Sequence, residues 1–333
     1  MTPVLIAGFI LAAELGLEVR HHLKGYETLL LDPLLSAVRL PAPQASAAST
    51  LTVDGYSFRS RPVPVERTPG VIRIWVASAS HGEHNSLPVS EIFPNQICNE
   101  VTRRGTPCEV LNASKAGLSI ADNVRWLREV GQRYRPDFAV LYQQVTEIIR
   151  GQRDFLGERT FRDEARPLVD LHAVRVLLQR SSIYPLTHQY LGGTSLLSGF
   201  MKEALPPPAK TRYLELVKTF IAESRRLGIE PVVATFASSH VKGNLDRMSH
   251  SEQLEFVKWE HQLSPGGWVE TIAEWNDALR TLAREEDVLL VDLEHSVGGR
   301  PELFVDFVHF NPNGHRRVAE QIAQVLLGMG PEK

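Results

Sequence analysis

The sequence predicts an α/β fold, a three-layer α/β/α sandwich around a parallel sheet, and three observations carry that expectation. First, five short apolar runs recur along the chain, at 72–77, 109–112, 138–142, 231–236 and 288–293. Second, these runs are rich in Val, Ile, Leu and Phe and mostly do not alternate, as strands buried on both faces read. Third, the stretches between them carry helical spacing: Ile120, Val124, Leu127 and Val130 in one, Leu214, Val217, Phe220 and Ile221 in another, and a last helix over about 316–327. Strand and helix in alternation place helices on both faces of a parallel sheet.

The chain has 333 residues, 43% of them hydrophobic and 23% charged, enough to bury a large core. A net charge of -3 gives no electrostatic footprint for nucleic acid, so no nucleic-acid partner is expected. Cys98 and Cys108 make neither a disulfide framework nor a zinc site by spacing, and read as two buried small apolar residues in preference to a single disulfide. No phosphate loop, dinucleotide glycine fingerprint or metal motif occurs, which disfavours kinases, dehydrogenases and metallohydrolases; no cofactor is expected.

Three regions follow in order. Residues 1–34 hold an apolar run from Pro3 to Ala13, shorter than the ~20 residues a spanning helix needs. It reads as a membrane anchor or uncleaved signal, with an ordinary apolar helix as the other reading. Arg20, His21, His22 and Lys24 behind it would keep that end cytoplasmic. The expected location is membrane-anchored or exported, with a cytoplasmic body as the alternative. Residues 35–70 are punctuated by Pro41, Pro43, Pro62, Pro64 and Pro69 and read as a linker or added edge element, with one short hairpin over 52–58. Residues 71–330 form the α/β domain. An insertion over about 148–212 is longer than a crossover needs and reads as a lid or binding surface, and 242–267 as a second cover.

In open parallel sheets ligands bind beyond the carboxyl ends of the strands. Ser78 and Ser80 follow the first run, Asn112 to Gly117 the second, Gln143 to Thr146 the third, and Ser239 and His240 the fourth; the fifth precedes Asp306 and His309. A serine hydroxyl is inert at neutral pH unless a histidine takes its proton, and that histidine needs a partner on its other ring nitrogen. Asp306 and His309, three apart and followed by Asn-Pro-Asn-Gly, can meet each other on one tight loop. The strand ends thus gather a nucleophile, a base and oxyanion donors, which is what acyl transfer requires.

These blocks resemble the SGNH (GDSL-like) serine hydrolase superfamily over about 71–327. Arg73-Ile74-Trp75-Val76-Ala77-Ser78-Ala79-Ser80 matches the first block and places the nucleophile at Ser80, with Ser78 as the alternative register. Asn112-Ala113-Ser114-Lys115-Ala116-Gly117 matches the second, Pro136 to Glu147 the third, and Asp306, His309, Gly314 and His315 the last. The resemblance implies a flavodoxin-like five-stranded parallel sheet, a catalytic set of Ser80, Asp306 and His309, and Gly117 as an oxyanion donor. Two positions depart from the family: Thr146 stands where its third block carries Asn, and Gln144 where it carries Gly. Either Thr146 or Gln144 could supply the remaining donor, and losing one donor costs ~100- to 1,000-fold in rate. The expected activity is hydrolysis of an acyl ester on a glycan or lipid, with O-acyl transfer or a catalytically silent glycan-binding protein as alternatives. His81, His84 and His240 read as polar residues lining the cleft, with a substrate contact as the other reading for His240. His315 reads as packing at the last helix start, and Trp268 and Trp275 as core.

Overall fold

A computed structural model of the chain describes residues 51–53, 56–156, 201–248 and 262–328, with isolated positions within 12–19 and at 252 and 256. The chain divides into two compact units, one of Ser46–Gly157 with Lys202–Lys333, the other of Met1–Ala45 with Glu158–Met201. Nearly all of the second unit lies outside the described residues. So do the apolar run from Pro3, most of the expected insertion over 148–212, and part of the cover over 242–267. Among the described residues no helix is long and apolar enough to cross a membrane.

A two-stranded antiparallel hairpin comes first, β1 (Leu51–Val53) with β2 (Tyr56–Phe58). Phe58, its last residue, is fully buried and meets Trp75 and Trp126 edge-on at 5.7 and 5.5 Å between ring centroids. Ser60 continues the attachment. Its hydroxyl donates to Val110 O (2.8 Å) and accepts from Asn112 N (3.2 Å), satisfying edge groups of the main sheet. Within the region read as a linker or edge element, Phe58 and Ser60 are thus anchored to the sheet domain.

The main sheet has five strands: β3 (Ile72–Ser78), β4 (Cys108–Asn112), β5 (Phe138–Tyr142), β6 (Glu230–Ala234) and β7 (Leu289–Val291). Their order is β4-β3-β5-β6-β7 and every pairing is parallel. Counted within this sheet the order is 2-1-3-4-5, flavodoxin-like, with its switch point beside β3. All five apolar runs of the sequence become strands, and most of their Val, Ile and Leu residues are buried, with Leu289 on the edge strand β7 exposed.

Helix α1 (Ser80–Glu83) is a single turn after β3, and α2 (Phe93–Arg103) leads into β4. A helical run, α3, starts at Ile120–Trp126, passes through a π-helical turn (Leu127–Gly131) and ends at Gln132–Tyr134. Next come α4 (Val145–Leu156), α5 (Pro207–Arg226), α6 (Pro265–Glu285), α7 (Leu293–Ser296) and α8 (Pro312–Leu326). In one helical layer α8 packs on α2, and in the other α5 packs on α3, with the sheet between. Trp268 and Trp275 are core residues on α6.

Two features bear on stability. Arg73 on β3 is wholly buried. It pairs with Glu109 at 2.6 Å and donates to the carbonyls of Val65, Glu66 and Tyr134, so its charge is compensated. Cys98 on α2 and Cys108 at the start of β4 form a disulfide, which corrects their reading as two independent apolar residues. Helix, turn and strand double back within ten residues and bring the two Cα atoms to 5.1 Å, inside bridging range.

Candidate active site

Ser80 is the first residue of α1, immediately beyond the carboxyl end of β3, and is half-buried. Its hydroxyl lies 2.8 Å from His309 Nε2. His309 Nδ1 lies 2.7 Å from Asp306 Oδ2, while Asp306 Oδ1 accepts from the backbone N–H of Val308 (2.9 Å) and His309 (2.7 Å). Burial alone would raise the Asp306 carboxyl. The His309 ring and these backbone donors outweigh it and hold the group well below the usual carboxylate range. A carboxylate only accepts, so the proton of neutral His309 sits on Nδ1 and Nε2 is left to accept from Ser80.

The loop bearing Asp306 and His309 is anchored at α8. Asn311 caps that helix, accepting from Asn313 N (3.0 Å) and Gly314 N (3.1 Å), and Pro312 opens its first turn. A side chain at Gly314 would collide with Leu303 O, so this close approach needs glycine.

Gly117 follows β4 in an exposed turn at φ +79°, a conformation glycine adopts without penalty. Its neighbour Ala116 donates its N–H to Glu83 Oε2 at 2.7 Å, which ties this turn to α1. Asn112 strengthens the tie, its amide donating to Gly82 O at 2.9 Å. Among the described residues no acceptor is present for the backbone N–H of Ser80 or of Gly117.

Ser78 and Gln144 do not face the cleft. Ser78 is fully buried within the sheet and its hydroxyl donates to Tyr142 O at 2.7 Å, whereas the Ser80 hydroxyl lies beside His309. Gln144 is also fully buried, and its amide donates to Asn276 Oδ1 on α6 at 3.3 Å. Thr146 is the second residue of α4 and half-buried. Gln143 instead braces the floor, with its amide donating to Leu118 O and its carbonyl accepting from Asn123.

Histidines crowd the site more than the sequence suggested. His81 is buried, stacks on His309 at 5.2 Å and 21°, and meets Phe236 and Tyr142 edge-on at 4.9 and 5.8 Å. Burial, and then the nearby His309, push His81 well below its ordinary value, so it is neutral. His84 Nδ1 lies 2.6 Å from His315 Nε2, and His315 Nδ1 accepts from Phe93 N at 3.0 Å. Arg59, unremarkable in sequence, donates to the carbonyls of Glu83, His84 and Leu87 and so holds the end of α1. His240 is buried, bonded to Ser239 Oγ at 2.9 Å and facing Glu252 at 3.8 Å. Among the described residues no group of three or more His, Cys, Asp or Glu is placed to hold a metal ion.

Fold and site together define a flavodoxin-order α/β sandwich with a Ser–His–Asp array at its strand ends. The strand order and the strand-end position of each block are those the family resemblance implied. No protein-family model and no curated protein matches the sequence. Solved structures similar to this chain include the acetyl xylan esterase AlAXEase, at 16% identity and TM-score 0.44 over 75% of this chain and 98% of that one. TesA is similar at 13% identity and TM-score 0.45 over 76% and 97%. The acetylxylan esterase Axe2 of Geobacillus stearothermophilus is similar at 11% identity and TM-score 0.46 over 77% and 94%.

Proposed function

We propose that the chain is a serine-dependent ester hydrolase of the SGNH type. The observation that supports this best is the unbroken series Asp306–His309–Ser80, at 2.7 and 2.8 Å, with the nucleophile half-buried at a strand end. In this reading Ser80 Oγ attacks the ester carbonyl while His309 Nε2 takes its proton. Asp306 holds the ring in that tautomer and stabilises the imidazolium. The Ser80 and Gly117 N–H groups receive the oxyanion, with the Thr146 hydroxyl as a third donor. The carbon–oxygen bond to the alcohol then breaks as His309 returns its proton to the leaving oxygen. Water, activated by the same ring, attacks the acyl-serine, frees the acid and restores Ser80. A hydroxyl acceptor replacing water would make the reaction O-acyl transfer through the same intermediate.

A body working in an oxidising, exported location belongs to this proposal. The Cys98–Cys108 disulfide supports it, since such bonds persist outside reducing compartments. The test is turnover of p-nitrophenyl esters by wild type, Ser80→Ala and His309→Ala. Loss of activity in both variants is expected, and equal activity in all three would refute the assignment.

A further inference from the structure

The pair His84–His315 has a proton arrangement that its neighbours dictate. The Phe93 backbone N–H can only donate, so His315 Nδ1, which receives it at 3.0 Å, carries no proton. In the neutral ring the proton therefore sits on Nε2. That nitrogen faces His84 Nδ1 at 2.6 Å and donates to it. His84 Nδ1 is then an acceptor, and the His84 proton is left on Nε2. Both rings are neutral at pH 7. Burial first, and then the neighbouring histidines, lower His315 well below its ordinary value and His84 to about 4.

His84 Nε2–H is thus a fixed donor, turned away from His315, with no partner among the described residues. The ring is held by more than packing. His84 caps α1 in the left-handed region at φ 35°, an unusual conformation for a residue with a side chain. The Arg59 guanidinium grips its carbonyl and those of Glu83 and Leu87. Its ring centroid lies 5.8 Å from that of His309, and 8% of the residue stays open to solvent. His309 is the group that protonates the departing alcohol, so the alcohol half of the ester lies on this side of Ser80.

Resting on the serine-hydrolase reading above, we infer that His84 is a specificity-determining residue. Its Nε2–H donates to an oxygen on the alcohol half of the ester, which selects an oxygen-rich alcohol, a sugar or other polyol, over a hydrocarbon one. A hydrocarbon alcohol would leave this oriented donor unpaired in the bound state.

The test uses the full chain and two acetyl esters of like ring size, 6-O-acetylglucose and cyclohexyl acetate, with acetate release as the readout. The kcat/KM ratio of the sugar ester to the cyclohexyl ester should fall about 2- to 12-fold in His84→Phe, the worth of one neutral hydrogen bond. His84→Gln, which returns an N–H donor at the same strained position, should restore most of it. An unchanged ratio in His84→Phe, or equal falls in both variants, overturns the inference, the second by showing a merely structural role. Side-chain 15N NMR gives a readout independent of turnover: the His84 proton should sit on Nε2, and a proton on Nδ1 overturns the premise. Phosphonate labelling separates the two proposals. Ser80 labelled with the ratio unchanged removes only the role of His84, whereas Ser80 unlabelled removes the hydrolase reading and this inference with it.

Discussion

Replacing Gly82 by Ala tests how tightly the nucleophile turn is set against the loop that carries Gly117. A Cβ built on Gly82 would overlap Ser114 Oγ and lie 2.7 Å from Ser114 Cβ and 3.1 Å from Ser78 Cβ. Rotating the Ser114 hydroxyl removes the first clash but not the second. Carbon atoms rest at about 3.5 Å or more, so α1 and the 113–117 loop must separate by about 0.8 Å. Such overpacking costs about 1–3 kcal/mol of stability. The effect on rate is of similar size, because Ser80 rides on α1 and Gly117 on the opposing loop, and a displacement of about 1 Å in a reacting group costs ~100-fold. The assay is ester turnover beside thermal melting for Gly82→Ala, Ser114→Gly and the double variant. Gly82→Ala should lose about 10- to 100-fold in kcat, and Ser114→Gly should recover most of that loss in the double variant, since it removes both Ser114 atoms. Full turnover in Gly82→Ala, or a double variant no better than the single, refutes the reasoning.

Two further predictions concern stability. The Cys98–Cys108 bridge closes a loop of about ten residues, which in the chain-entropy account gives about 2.7 kcal/mol. Reduction, or Cys98→Ala with Cys108→Ala, should lower Tm by about 4–5 °C, and an unchanged melting curve would contradict it. Asp306 has a folded-state pKa depressed below its unfolded value near 4. Its contribution is therefore complete above about pH 4–5 and lost as pH falls through the folded value. The difference in urea midpoint between wild type and Asp306→Ala should shrink between about pH 6 and pH 3, and a constant difference would contradict the assignment.

Much of the fold was legible because buried parallel strands write their burial into short apolar runs. The run at 138–142 becomes β5 with the same bounds, while that at 288–293 shortens to Leu289–Val291 because the chain turns into α7. Ser80 was singled out because it follows the first run, and Asp306 and His309 because they stand three apart before Asn-Pro-Asn-Gly; the structure brings the three side chains within hydrogen-bond distance. Ser78 remained open as a nucleophile because two serines two positions apart at a strand end read alike. Only the burial of Ser78 and its bond to Tyr142 O separate them. The Gln144 amide could not be followed from sequence, since its acceptor, Asn276, is 132 positions away. The same holds for the proton order of His84, which depends on His315 and on a backbone N–H at Phe93. Cys98 and Cys108 were misread for a related reason: spacing counts residues, whereas bridging depends on how helix and strand fold back.

The central claim is that Ser80 becomes acylated by an ester. Its most direct test is the intact mass of the protein after exposure to a fluorophosphonate, with the adduct mapped by peptide mass spectrometry. One adduct on Ser80, absent from Ser80→Ala and much slower to form in His309→Ala, is the expected result. An adduct elsewhere, or none while the protein remains folded, would contradict it.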